Sequence, residues 1–223
     1  MTDLRVPKVT LDEVAHVAGI SRSTASRVLT SDPRVSPDAR RAVERAAGKL
    51  GYVPNQAGRA LSTGRSDAVA LVVFEPTTLL FGDPFFPRLI RGLGEVLNSR
   101  DMQLILLAPQ SAPDSDRVER YVAAGHVDGA LLVSLPSSHT LPGRLASRGI
   151  PLVIGGRPTE ADRFNYVDVD NVAGAAHAVA HLVAGGRRTI ATVTGRRDVS
   201  AGQDRLAGYR QGSRPPAFPL TMP

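Results

Sequence analysis

The sequence predicts an all-α unit with a helix-turn-helix at the N-terminus, followed by an α/β domain with a doubly wound parallel sheet. Helical signals follow one another as far as residue 67, whereas short β-branched runs alternate with helical stretches beyond it. That alternation is typical of parallel strands joined by crossover helices. Four prolines in the last nine residues cannot continue a helix that we expect to begin near Leu206. We therefore expect four segments: a headpiece at 1–53, a hinge helix and linker at 54–67, the α/β domain at 68–212 and an atypical Pro-rich tail at 213–223.

Capping residues define the helices of the first segment. Thr10 and Glu13 stand three residues apart in the pattern of a capping box, and Gly19 ends the helix that follows. Ser21 and Ser36 are N-cap residues of two further helices. The predicted helices are 11–18, 22–29 and 37 to about 50, the last with Pro37 at its first position and Gly51 as its left-handed cap, followed by a short helix at 55–62.

The α/β domain is predicted from aliphatic and β-branched runs that alternate with amphipathic stretches. Strands are expected at 69–74, 103–108, 129–133, 152–154, 166–169 and 189–193. Helices are expected between them, at 86–99, 114–124, 141–148 and 172–184.

Charge and composition narrow the class of protein. The net charge is +6, and residues 1–67 hold eleven lysines and arginines against seven acidic residues, which favours a nucleic-acid contact surface although a solvated basic face explains it as well. There is no cysteine, which excludes disulfides and thiolate metal sites. The N-terminus lacks the apolar run of a secretory signal, and no stretch approaches the roughly 18 apolar residues of a membrane span. We expect a cytoplasmic protein with no membrane partner.

Basic side chains open the second helix of the predicted helix-turn-helix. In that motif the second helix enters the major groove of DNA with its N-terminal residues facing base edges. Arg22 and Ser23 stand there, with Arg27 one turn further on, and an arginine fork can bond both groove acceptors of guanine. Four hydroxyl side chains are placed to bond phosphates: Thr10, Thr24, Ser26 and Ser36. The pattern alone leaves open a three-helix bundle that binds a protein.

Residues 8–66 resemble the headpiece and hinge of the lactose/galactose repressor family of bacterial transcriptional regulators. The resemblance is carried by the runs V-T-x-x-x-V-A, G-I-S, T-x-S-R-V-L and L-G-Y-x-P-N. It implies a homodimer that binds near-palindromic operator DNA, with Arg22, Ser23 and Arg27 at the bases.

The same resemblance assigns roles in the hinge. It implies that Asn55 opens a hinge helix that folds on operator DNA, and that Leu61 wedges into the minor groove, although an ordinary linker leucine is the alternative. Gly58 stands where the family usually has alanine, and glycine weakens a helix by roughly 1 kcal/mol. For residues beyond the second helix, the resemblance implies that Arg34 and Asn55 contact the DNA backbone. It also implies that Ala57, Gly58 and Leu61 contact the minor groove.

The α/β domain resembles the family's effector-binding domain, which is like a periplasmic binding protein. That domain has two lobes, and the resemblance implies that the second lobe is incomplete here. The matching runs are D-P-F-F at 83–86, G-I-P-L-V at 149–153, V-D-N at 169–171 and R-L-A-G-Y at 205–209. They imply an effector pocket for a sugar or related metabolite, lined by Phe86, Arg205 and Asp170. Phe86 is equally interpretable as a core anchor for its helix. Gly156 departs from the family's usual acidic residue, which removes one hydroxyl acceptor.

Other classes of function fit less well. His177 and His181 have a zinc-compatible spacing, but Ala178 stands where a metalloprotease needs glutamate, so we expect no metal site. Gly92 and Gly94 give only half of a dinucleotide fingerprint, and we expect neither a cofactor nor an enzyme. The alternative is a truncated, non-regulatory remnant that keeps only a DNA-binding headpiece or an interaction role.

Overall fold

The computed structural model describes residues 9–30, 32–53 and 64–213. The chain divides into two compact units, residues 1–66 and 67–223. The predicted hinge helix at 55–62, and with it Asn55, Ala57, Gly58 and Leu61, lies outside the described residues.

The described part of the first unit contains three helices: α1 at Leu11–Ala18, α2 at Arg22–Leu29 and α3 at Pro37–Leu50. The predicted capping box is confirmed, because Thr10 Oγ1 accepts from the amide of Glu13 and the Glu13 carboxylate accepts from the amide of Thr10. Gly19 and Gly51 end α1 and α3 in the left-handed conformation, as predicted. The helices enclose a small aliphatic core of Val14, Ala15, Ala25, Val28, Val43 and Ala46.

The second unit is a parallel α/β sheet. Its strands are β1 at Ala68–Val73, β2 at Gln103–Leu107, β3 at Gly129–Val133, β4 at Leu152–Gly155 and β5 at Tyr166–Val167. They lie in the order β2-β1-β3-β4-β5, and all four described pairings are parallel. The helices are α4 at Thr77–Gly82, α5 at Phe85–Asn98, α6 at Ala112–Ala123, α7 at Leu141–Ser147, α8 at Asn171–Ala184 and α9 at Ser200–Gly212.

Hydrophobic side chains pack on both faces of this sheet. Alternate residues of β1 divide between two clusters: Ala70 and Val72 pack with residues of α6 and α7, whereas Leu71 and Val73 pack with Leu80 of α4 and with α5. Helices on both faces make the sheet doubly wound, as predicted. Ligands of such sheets bind beyond the carboxyl ends of the strands.

Three sequence-based expectations in the α/β unit are wrong. Residues 189–193 form no strand: the segment is irregular, Val193 is 99% exposed, and no described strand pairs with it. Strand-like composition makes a strand only where a neighbouring strand accepts its hydrogen bonds. The last helix begins at Ser200 and not near Leu206, and α4 was not predicted, because its short run Thr-Thr-Leu-Leu-Phe-Gly lacks a side-chain cap.

Candidate nucleic-acid interface and ligand cavity

The second helix of the headpiece presents its predicted DNA-reading residues to solvent. Ala25 and Val28 are buried at 0% and 4% exposure and fix α2 on the core. Arg22, Ser23 and Arg27 are all exposed. The inward face of α2 is therefore apolar, and its outward face carries the donors that major-groove recognition requires.

Arg22 makes an ion pair within the headpiece. Its Nε lies 3.1 Å from Asp12 Oδ1, and the two side chains are 71% and 69% exposed. An ion pair this exposed contributes at most about 1 kcal/mol. Arg22 can therefore give up its ion pair with Asp12 and bind a base edge at a small cost in free energy.

The hydroxyl groups predicted to bind phosphate already serve as caps. Thr10 Oγ1 donates to Glu13 Oε2 at 3.0 Å, so its proton is engaged. Ser36 Oγ only accepts, from the amide of Ala39 at 3.3 Å, which leaves its proton for a phosphate oxygen. Thr24 Oγ1 shares a hydrogen bond of 2.9 Å with Ser21 Oγ, and Ser26 is half-buried. Ser36 is thus the freest donor of the four.

Arg34 is engaged by an acidic neighbour. Its Nε and Nη2 donate to the two carboxylate oxygens of Asp32 at 3.0 and 2.9 Å. These bonds hold the pKa of Asp32 at about 2, well below its ordinary value of 3.8. A phosphate contact from Arg34 would compete with this pair.

A cavity of about 930 Å³ opens in the α/β unit beyond the carboxyl ends of β1, β3 and β4. It lies where the parallel sheet predicts a ligand site. Both Phe86 and Arg205 line it. The other lining residues that matter below are Glu75, His139, Arg157, Asp168, Asn171 and Arg196.

Phe86 serves both interpretations made from the sequence. It is only 4% exposed and belongs to the cluster of Leu71, Leu80 and Val133 beneath the sheet. It also forms part of the cavity wall, where its ring meets that of Phe85 edge-on at 5.2 Å between centroids. Phe86 is therefore a core anchor whose remaining surface faces the cavity.

A polar network orients Arg205. Its Nε donates to Oδ1 of the buried Asn171 at 2.9 Å, and the Asn171 amide donates in turn to Asp168 Oδ1 at 3.2 Å. Asp170, which the sequence grouped with Arg205, is placed differently. Its carboxylate caps α8 by accepting from the amide of Ala173 at 2.8 Å, and it is absent from the lining of this cavity.

Arg157 lies just after β4, and its side chain reaches α9. Its Nη2 donates to both carboxylate oxygens of Asp204 at 2.6 and 2.7 Å, and these bonds hold the pKa of Arg157 above its usual range. Its amide donates to Asp168 Oδ2 at 3.1 Å. The preceding Gly156 has φ +99°, a conformation that favours glycine and accounts for the absence of an acidic side chain there.

His139 forms a neutral part of the cavity wall. Its ring lies 4.6 Å from that of Phe74, and burial lowers its pKa. The amide of Leu141 donates to Nδ1 at 3.2 Å, which assigns the proton to Nε2, 3.3 Å from Ser115 Oγ.

Two family models match the chain. The model of bacterial regulatory proteins of the lacI family matches residues 10–55, and that of periplasmic binding proteins and the sugar-binding domain of the LacI family matches residues 66–220. The chain belongs to the LacI family.

Characterised LacI-family relatives are regulators. The HTH-type transcriptional regulator CelR of Thermobifida fusca is 45% identical over 91% of this chain, and AglR of Rhizobium meliloti is 30% identical over 84%. The solved complex of CelR with cellobiose is 42% identical with a TM-score of 0.64, covering 92% of this chain and 61% of that one. The operator-bound lac repressor dimer, at 22% identity and a TM-score of 0.77, shares the fold over the same 92% of this chain and 61% of its own. The chain spans about three fifths of the length of CelR, and about half of that of AglR.

Sequence reasoning missed several cavity residues of this LacI-family domain. Glu75, Arg157 and Asp168 each follow the end of a strand, and that position is the signal that could have found them. Arg196 had no such signal, because it lies in an irregular segment. Within the described residues, no cluster of potential metal ligands and no helix long and apolar enough to cross a membrane is found.

Proposed function

We propose that this chain is a sequence-specific DNA-binding transcriptional regulator, most simply a repressor, controlled by a sugar effector. The observation that carries the proposal is the capped helix-turn-helix whose α2 exposes Arg22, Ser23 and Arg27. The family's regulators support the same function.

A homodimer would read a near-palindromic operator with one headpiece for each half-site. Arg22, Ser23 and Arg27 would contact bases, and Ser36 would donate to a phosphate. The backbone roles of Thr10, Thr24, Ser26, Arg34 and Asn55, and the minor-groove roles of Ala57, Gly58 and Leu61, stay part of the proposal. The chromosome is the target, so the proposal includes a cytoplasmic location.

The cavity of the α/β unit would hold the effector. Its volume of about 930 Å³ lies within the range for small-molecule sites. Phe86 supplies an aromatic surface and Arg205 a fork of donors, a combination suited to sugars. The similarity to a CelR–cellobiose complex makes cellobiose the first ligand to test. We infer that the chain senses this ligand without chemical conversion.

Selection of bound sequences from random duplex DNA tests the proposal. The purified chain is used at about 50 and 200 mM salt, with and without cellobiose, because phosphate contacts make affinity fall steeply with salt. We expect enrichment of a palindrome with a fixed centre, and weaker retention when cellobiose is present, since linkage couples the two sites. Only salt-sensitive binding without an enriched sequence would contradict the operator-binding function.

A further inference from the structure

Glu75 is a buried acidic residue beyond the carboxyl end of β1. It lies two residues after the end of β1, lines the cavity and is only 7% exposed. Its Oε2 is buried and accepts no hydrogen bond from any residue that the structure describes. A buried acceptor without a donor is unfavourable, and a group of this kind in a cavity wall indicates a partner supplied by a ligand or by water.

Arg196 is the cation nearest to this carboxylate, but it is held by other groups. Its Nη1 lies 3.3 Å from Glu75 Oε2 in an ion pair, and the same atom donates to the carbonyl of Phe74 at 2.7 Å. Its Nε and Nη2 donate to the two carboxylate oxygens of Asp198 at 3.0 and 2.6 Å. The guanidinium is therefore held in place, and it neutralises the charge of Glu75 without giving Oε2 a well-directed hydrogen bond.

The segment that carries Arg196 is itself tied to the end of the sheet. The carbonyl of Asp198 accepts from the amide of Ser137 at 2.7 Å. Three of the five N–H groups of the Arg196 guanidinium are engaged, and two are left for a ligand. Side by side at the cavity, Glu75 thus offers an acceptor and Arg196 offers donors.

We propose that Glu75 and Arg196 form a subsite for two neighbouring hydroxyl groups on one ring of a neutral sugar. One hydroxyl donates its proton to the Glu75 carboxylate, and the next accepts from an N–H of Arg196. A neutral ligand is favoured because each charge of the pair already faces its opposite, so a cationic or an anionic group would meet one attractive and one repulsive partner. This inference rests on the proposed sugar-sensing function.

The test removes hydroxyls from the ligand and the negative charge of the acceptor from the protein. Calorimetric titration of the full chain uses cellobiose and its monodeoxy derivatives, each lacking one hydroxyl, with the wild type, Glu75→Gln and the control Glu119→Gln. Glu119 pairs with Arg144 and Arg148 outside the cavity lining, so its substitution removes a carboxylate without touching the subsite. Thermal unfolding of each variant shows whether it folds.

We expect one deoxy derivative to bind the wild type about 10-fold to 100-fold more weakly than cellobiose, since hydrogen bonds to charged groups are strong. Glu75→Gln should discriminate less between cellobiose and that derivative, because a neutral amide oxygen accepts a weaker hydrogen bond than a carboxylate, whereas Glu119→Gln should discriminate like the wild type. If the wild type binds cellobiose and Glu75→Gln weakens every ligand by the same factor, or none, the subsite is overturned and sugar sensing stands. If Glu75→Gln does not fold, Arg196→Lys is measured in its place. This variant should then discriminate less than the wild type between cellobiose and the derivative that lacks the adjacent hydroxyl. If the wild type binds none of these sugars, sugar sensing fails for this panel and the subsite fails with it.

Discussion

Arg205 Nε donates a hydrogen bond of 2.9 Å to Asn171 Oδ1, and this bond joins α9 to the first residue of α8. Asn171 is 7% exposed, and its Nδ2 donates to Asp168 Oδ1 and to the carbonyl of Val169. The two donor bonds fix which way the amide faces, so Oδ1 must face Arg205. Asn171 is therefore a positioning residue for the guanidinium that lines the cavity.

Asn171→Ala should weaken cellobiose binding about 10-fold or more and lower the free energy of unfolding by about 1–3 kcal/mol, because it leaves buried partners unsatisfied. Calorimetric titration and urea unfolding measure the two effects. Asn98→Ala, at the exposed C-terminal end of α5, is the matched control and should change neither. Lost stability with unchanged sugar affinity would show that Asn171 is structural only.

The packing of α9 on α8 depends on glycine. A Cβ at Gly208 would lie 2.1 Å from the carbonyl oxygen of Val172 and 2.8 Å from Ala175 Cβ. The helices would have to separate, so Gly208→Ala should lower the free energy of unfolding by about 1–3 kcal/mol. Urea unfolding followed by circular dichroism measures the change.

Gly174 is the matched control for Gly208. It lies inside α8, and a Cβ there would meet no atom of another element within 4 Å. Gly174→Ala should therefore stabilise the protein by about 0.5–1 kcal/mol through helix propensity. Equal effects of the two substitutions would mean that the close contact of α8 and α9 does not determine stability.

Local signals and long-range contacts differ in how well the sequence predicts them. Thr10 and Gly51 set helix ends through bonds to residues at most four positions away, so the headpiece helices could be predicted to the residue. Arg196 reaches the carbonyl of Phe74, 122 residues away, and no local pattern encodes that pairing.

Composition also predicted features that the structure places differently. Residues 189–193 have the residues of a strand, but no described strand lies beside them. Family resemblance, and not composition, assigned Asp170 to effector binding; its carboxylate caps α8, and its role towards an effector stays a prediction. A residue type indicates what a side chain can do, and its neighbours decide which of those roles it takes.

Acid should weaken the headpiece through Asp32. Its pKa in the folded protein is about 2, below its ordinary value of 3.8, because Arg34 donates to both carboxylate oxygens. The stabilisation from this pair is therefore present above about pH 4 and is lost as the pH falls towards about 2. Asp32→Asn should lower the urea midpoint at pH 7 and flatten its decline between pH 4 and 2.

The matched control for Asp32 is Glu44→Gln, an exposed acidic residue on α3. Both substitutions remove one negative charge from the same unit, so a general charge effect would act on both. If Glu44→Gln flattened the acid transition as much as Asp32→Asn, the Arg34 pair would not be its cause.

Arg22 and Ser36 should affect DNA binding in different ways. Arg22 is exposed at the start of α2 and can bond a guanine, so Arg22→Ala should relax base preference at one operator position and cost about 1–3 kcal/mol there. Ser36 has a hydroxyl proton to donate to phosphate, so Ser36→Gly should weaken all sequences by about the same factor. Glycine is used because it costs an N-cap only a few tenths of a kcal/mol, whereas alanine would remove the cap of α3.

Binding of each variant to a library of single-base operator changes measures both effects. Uniform weakening by both substitutions would contradict the assignment of Arg22 to a base and leave it as a phosphate contact.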